Sequence, residues 1–259
     1  MTEAVLRTEN LTKRFGGLTA VDNLSLNLPG RRLHAIIGPN GAGKTTFFNL
    51  VSGLLAADSG RVFFQGRDIT GLKPHEVSRL GIKRTMQIKS VFPQLSVAEN
   101  LWVTRHATKR VLHPFRAASS DLETRERVEH TLEQIGLTAL AQRPAGTLSY
   151  GDVALLEIGM AVISEPRLLL LDEPTCGMSP AETERAVAKI KQLARTIDIV
   201  IIEHDMSVVF EIADDITVMA QGGILASGNP DEISGDERVR EAYLGRPEDE
   251  DYVEEAIHA

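Results

Sequence analysis

The stretch Gly38-Pro39-Asn40-Gly41-Ala42-Gly43-Lys44-Thr45-Thr46 restricts the fold more than any other part of the chain. A short apolar run, His34-Ala35-Ile36-Ile37, precedes it, and Phe47-Phe48-Asn49-Leu50-Val51 follows with helical character. Strand, glycine-rich turn and helix in that order make G-x-x-x-x-G-K-[ST] a phosphate cradle. Glycine lets backbone amides face inward with no Cβ in the way, and the positive end of the following helix attracts an anion. Lys44 can then reach the β- and γ-phosphates, and the Thr45 hydroxyl can ligate Mg²⁺. The expected ligand is a nucleoside triphosphate.

A chain of 259 residues can hold one large domain or two small ones. Its longest apolar runs, such as Leu168-Leu169-Leu170-Leu171 and Ile199-Val200-Ile201-Ile202, are far too short to span a bilayer. No charged-then-apolar leader opens the sequence, so export is not expected and any membrane role should come through a partner. The net charge of −8 argues against a chain that coats nucleic acid. Much of that charge lies in residues 246–259, where six acids face one arginine, and this tail is expected to be solvated and disordered. The single Cys176 cannot form an internal disulfide, which suits the cytoplasm.

Periodicity divides the chain into three parts. Val5 to Leu11 and Leu24 to Leu28 alternate apolar with polar residues, as half-buried strands do, and Ser59 to Arg67 reads as a strand between turns. Between the first two, Lys13 to Val21 includes Phe15 before Gly16-Gly17, either a turn-packing aromatic or a face for a base. From about Pro93 to Ser164 the pattern is helical, with candidates at Val97 to Thr104, at Asp121 to Gly136 and along Val153 to Ile163. The last of these is apolar nearly all round and should be buried on most sides. Strand and helix then alternate: Leu168 to Leu171, Pro180 to Thr196, Ile199 to Ile202, Met206 to Ala213, and two strands around a Gly222-Gly223 turn. Uniformly apolar strands between helices imply a parallel sheet covered on both faces, so a helical block is inserted into an α/β core.

Three further stretches carry chemistry. Leu168 to Glu173 places two acids at the carboxyl end of a buried strand, where ligands of open α/β sheets sit. Asp172 would face Mg²⁺ and Glu173 would polarise an attacking water. In Leu148-Ser149-Tyr150-Gly151-Asp152, Ser149 and the Gly151 amide could ligate phosphate, although a plain serine N-cap reads the same way. His204, in Glu203-His204-Asp205, follows an apolar strand and could donate a hydrogen bond to a γ-phosphate.

With these motifs in this order, residues from about Val5 to Gly245 resemble the ATP-binding subunit of an ABC transporter. The resemblance implies an α/β fold: a RecA-like P-loop NTPase core with an N-terminal antiparallel β subdomain and an inserted α-helical signature subdomain. The ATPase domain would span 1–245, its helical part about 93–164, with the tail at 246–259. It implies that Phe15 stacks on adenine and that Gly38, Pro39, Asn40, Gly41, Ala42, Gly43, Lys44, Thr45 and Thr46 form the Walker A segment. Gln87, in Arg84-Thr85-Met86-Gln87, falls at the Q-loop glutamine, which contacts Mg²⁺. Ser149 and Gly151 belong to the signature, Asp172 is the Walker B acid that serves the metal with Thr45 and Gln87, and Glu173 and His204 are catalytic. ATP and Mg²⁺ are the implied cofactors.

The finer resemblance is to ATPases of branched-chain amino acid importers, carried by Leu-Ser-Tyr-Gly-Asp, Arg-Thr-Met-Gln, Ile-Glu-His-Asp-Met and the closing Ala242-Tyr243-Leu244-Gly245. Related systems handle urea, short amides, other amino acids or lipopolysaccharide export. Rival classes are a soluble ABC ATPase and a regulatory nucleotide-binding module; the first lacks its usual coiled-coil insertion or second ATPase unit here, and the presence of both Glu173 and His204 speaks against the second. The implied assembly is a head-to-tail pair of ATPase subunits, a heterodimer more than a homodimer. Two membrane permease subunits would dock through coupling helices near Gln87 to Asn100, a binding protein would select the solute, and the chain would lie peripherally on the cytoplasmic face of the inner membrane. Ser179 stands where the family's D-loop usually has Asp, though the branched-chain subgroup often has Asn; Asp152 replaces the usual signature Gln, and Val153-Ala154-Leu155 replaces polar and basic residues.

Overall fold

The computed structural model describes residues 4–85, 91–108 and 122–244. The chain divides into two compact units, one formed by residues up to Leu80 together with those from Val200 onward, the other by Gly81–Ile199.

The first unit opens with β1 (Ala4–Phe15), β2 (Leu18–Leu24), β3 (Asn27–Pro29) and β4 (Leu33–Ile37), then α1 (Lys44–Val51), β5 (Ser59–Phe64), β6 (Arg67–Asp68) and α2 (Pro74–Leu80). β1 pairs antiparallel with β2, β3 and β5, and β5 with β6. Two expected strands are cut. The run Leu24 to Leu28 breaks between β2 and β3, because the buried Thr8 hydroxyl donates to the Leu24 carbonyl (3.0 Å) and accepts from the Leu26 amide (3.0 Å). The run Ser59 to Arg67 is a hairpin: Gln65 and Gly66 both take positive φ (48° and 75°), the geometry of a tight two-residue turn. Conversely, β1 runs on to Phe15, so part of the stretch read as a connection is hairpin arm.

The second unit contains β7 (Ile82–Arg84), α3 (Val97–Thr108), α4 (Leu122–Ile135), α5 (Tyr150–Val162), β8 (Leu168–Asp172) and α6 (Pro180–Ala194). β7 and β8 pair in parallel, Ile82 opposite Leu168, and every residue of β8 is buried. Leu101 of α3, Leu132 and Ile135 of α4, and Leu155 and Leu156 of α5 share one apolar core. The apolar α5 buries Val153, Leu155, Leu156, Ile158 and Val162, as its composition requires.

The chain returns to the first unit within β9 (Asp198–Ile202), followed by α7 (Met206–Ile212), β10 (Asp215–Ala220), β11 (Gly223–Gly228), α8 (Pro230–Ser234) and α9 (Glu237–Leu244). β10 lies between β11, antiparallel, and β4, parallel, with His34 opposite Asp215 and Ile37 opposite Val218; β9 neighbours β4 on its other side. The turn between β10 and β11 sits on Gln221 and Gly222 (φ 50° and 82°), one residue earlier than Gly222-Gly223. All five residues of β4 are buried, which fixes the start of the glycine-rich loop that follows. Among the described residues, no helix is long and apolar enough to cross a membrane.

Candidate nucleotide site

The loop after β4 is shaped by close approach of backbone to backbone. Gly38 (φ 148°) and Gly43 (φ 99°) take conformations that L side chains rarely adopt. A Cβ on Gly38 would lie 2.1 Å from the Met219 carbonyl oxygen, and one on Gly43 would lie 2.1 Å from that of Ala20. Only glycine fits either position. The Ala42 amide donates to Pro39 O (3.2 Å) and the Gly222 amide to Ala42 O (3.2 Å), which ties the loop to the β10–β11 turn.

Lys44 opens α1 and is buried, with Nζ donating to Gly38 O (2.6 Å) and Pro39 O (3.0 Å). The first turn of α1 carries no acidic residue, so its positive end is left for an anion. Asn40, Gly41 and Thr45 are exposed. Phe15 sits at the tip of the β1–β2 hairpin, about half exposed, with Lys13 Nζ 5.6 Å from its ring centroid. That hairpin reaches the loop through Ala20. His204 is exposed just beyond β9, the neighbour of β4, and its amide donates to the buried Glu203 at Oε2 (3.2 Å). The first unit thus carries Phe15, Gly38 to Thr46 and His204 on adjoining elements.

The second unit holds the acids and the Ser149–Gly151 segment. Asp172 ends β8 with its side chain almost fully buried, and Oδ2 accepts from Arg84 (2.7 Å). Asp172 Oδ1 has no hydrogen-bond partner among the described residues. Such an orphaned oxygen beside a paired one suits a carboxylate that serves a hydrated cation. The end of β7 holds this arrangement: the Thr85 amide donates to Leu170 O (3.0 Å) and its hydroxyl accepts from the Asp172 amide (3.4 Å). Glu173 follows at φ 51°, a conformation rare for a residue with a side chain. It lines a cavity of about 210 Å³ with Thr85, Asp172, Cys176 and, from α5, Tyr150 and Glu157.

Ser149 is the N-cap of α5, its hydroxyl oxygen accepting from the Asp152 amide (3.2 Å). The Gly151 amide donates to Glu182 Oε1 (3.1 Å), and Asp152 pairs with Arg185 of α6 (2.8 Å). Gln87 lies outside the described residues, as do the tail 246–259 and Asp121, where the second helix was expected to begin. Reading the sequence alone missed Arg84, Glu182 and Arg185. Only Glu182 left a local signal, the Ser-x-x-Glu spacing from Ser179 that marks a helix start.

The chain matches the ABC transporter family over residues 21–176 and the branched-chain amino acid ATP-binding cassette transporter family over residues 224–249. It is 39% identical over 253 residues to the high-affinity branched-chain amino acid transport ATP-binding protein BraF of Pseudomonas aeruginosa, a match covering 95% of this chain and 99% of that protein. It is 40% identical over 255 residues to LivG, of the same description, from Salmonella typhimurium, again covering 95% of this chain and 99% of the relative. Among solved structures, the ADP conformation of MJ1267, an ATP-binding cassette of an ABC transporter, has a TM-score of 0.82 at 34% identity, covering 95% of this chain and 100% of that one.

Proposed function

Because the chain belongs to the ABC transporter ATP-binding family, we propose that it is the ATP-hydrolysing subunit of an importer of branched-chain amino acids, working through separate membrane subunits. The observation that carries the solute class is the match of residues 224–249, a segment outside the phosphate-binding machinery, to the branched-chain amino acid cassette family.

In this reading the amides of Gly41 to Thr46 and the Lys44 ammonium hold the nucleotide's phosphates, and Phe15 stacks on its base. Thr45, Gln87 and Asp172 would hold Mg²⁺, which when bound neutralises charge on the phosphate oxygens. That Asp172 Oδ1 has no hydrogen-bond partner among the described residues supports that fit. Glu173 orients the attacking water and takes its proton, and His204 donates a hydrogen bond to the γ-phosphate. Ser149 and Gly151 serve the nucleotide of a partner chain, so a site is complete only in a head-to-tail dimer, with a different ATPase chain as the expected partner. ATP contacts both halves and favours the closed pair, whereas ADP lacks the γ-phosphate and favours opening. Two permease subunits receive this motion through coupling helices seated near Gln87 to Asn100. The chain is peripheral, on the cytoplasmic face of the inner membrane.

Reconstitution tests the solute. Vesicles that carry the chain with its membrane subunits, with ATP on the chain's side and the binding protein on the other, are expected to accumulate radiolabelled leucine, and to stop when Glu173→Gln replaces the wild-type chain. Accumulation of urea or a short amide in place of leucine would move the protein to a related system.

A further inference from the structure

A carboxylate of the chain itself occupies the place where the signature is expected to receive phosphate. Glu182, in the first turn of α6, accepts from the Gly151 amide at Oε1 (3.1 Å) and from the Ser179 amide (3.1 Å) and hydroxyl (2.8 Å) at Oε2. The approach is close. A Cβ built on Gly151 would lie 2.9 Å from Glu182 Cβ and Cγ and 3.0 Å from its Cδ. Hydrogen bonds from Ser179, then from the Ser149 hydroxyl and the Gly151 amide, hold the Glu182 carboxyl down to about 2, so it is an anion at any ordinary pH.

A glutamate at the third position of a helix usually serves only its own N-terminus. This one also satisfies the amide of a second helix, α5, 31 residues away in sequence. Its two partners there, Ser149 and Gly151, are the two groups assigned to the phosphate of the partner's nucleotide. One amide cannot donate well to two anions at once, and two anions at one site repel.

We propose that Glu182 is a built-in counter-anion of the signature, which holds Ser149 and Gly151 until the γ-phosphate of the partner chain's ATP displaces it. This rests on the assignment of those two residues to the partner's phosphate. It also gives Ser179 a role. The Ser179 hydroxyl donates to Glu182, whereas the Asp usual at that position would set a second carboxylate against it. The displaced Glu182 keeps its Ser179 donors at the start of α6, so it can return when phosphate leaves. Arg185 is paired with Asp152 and leaves the exchange between the two anions.

The test is the ATP dependence of hydrolysis by the assembled transporter. Glu182→Gln, which keeps the shape and removes the charge, should lower the half-saturating ATP concentration about tenfold, the scale of one charge-assisted hydrogen bond. Ser179→Ala, which removes one of the donors holding Glu182, should lower it about threefold, and serves if the first variant folds poorly. A glutamate that only caps α6 would lower the melting temperature and leave half-saturating ATP unchanged or higher, and that result would overturn the proposal. Ser149→Ala separates the signature assignment from the counter-anion role of Glu182. If it leaves half-saturating ATP unaltered, the signature assignment itself fails; if it raises it while Glu182→Gln does not lower it, only the counter-anion proposal fails.

Discussion

Replacing Glu173 by Gln is expected to leave ATP binding intact and to cut hydrolysis by about 10²- to 10⁴-fold, the contribution of a well-placed general base. The substitution keeps the size of the side chain and its place after β8, but an amide cannot accept the proton of an attacking water. The backbone at this residue is left-handed (φ 51°), which directs the side chain toward the cavity shared with Asp172 and Thr85. Glutamine visits that conformation as readily as glutamate, so the exchange tests chemistry and not folding. With turnover stopped, ATP should hold the closed pair together. Size-exclusion chromatography in ATP, with and without Glu173→Gln, reads the trapped pair, and a radiolabelled phosphate assay reads the rate. Unchanged hydrolysis would remove Glu173 from the mechanism.

Lys44→Ala is expected to act one step earlier and weaken ATP binding by about 10²-fold, on the scale of one or two charge-assisted hydrogen bonds. The buried ammonium donates to Gly38 O and Pro39 O, which keeps the loop curled around the start of α1. Alanine removes both the charge that meets the phosphates and the tie that shapes their cradle. Binding of a fluorescent ATP analogue to the isolated chain measures the loss. Affinity within a factor of about 3 of wild type, well under the tenfold that 1.4 kcal/mol represents, would contradict the role given to Lys44.

The parts of this molecule legible in its sequence are those whose physics is local. The loop from Gly38 to Thr46 announces itself because glycine, lysine and threonine must stand at fixed offsets between a strand and a helix. The apolar runs Ala35–Ile37 of β4 and Leu168–Leu171 of β8 and the largely apolar α5 were legible because burial on both sides leaves no polar period. What escaped depends on residues distant in sequence. Thr8 breaks the run from Leu24 to Leu28 by bonding across 16 and 18 residues, and no alternation pattern records that. Gln65 gives no turn signal, yet it takes the left-handed conformation that makes β5 and β6 a hairpin. The Arg84–Asp172 pair joins residues 88 apart, so the guanidinium beside the second-unit acid could not be foreseen from the strand that ends in it. Glu182 was legible as a helix-capping residue. Its second contact, to Gly151, was not.

In the proposed mechanism each nucleotide site is assembled from two chains, with Lys44 contributed by one and Ser149 by the other. Mixing Lys44→Ala chains with Ser149→Ala chains tests it, with the second ATPase left out and at a protein concentration at which the wild-type chain pairs with itself and hydrolyses ATP. At an ATP concentration near half-saturation of the wild type, each variant alone should hydrolyse ATP far more slowly than wild type. A mixed pair, however, has one site that carries both defects and one that carries neither, so mixing should restore hydrolysis to a substantial fraction of wild type. If every chain instead built its own site, each chain in the mixture would keep its own defect, and the mixture would be no more active than its components.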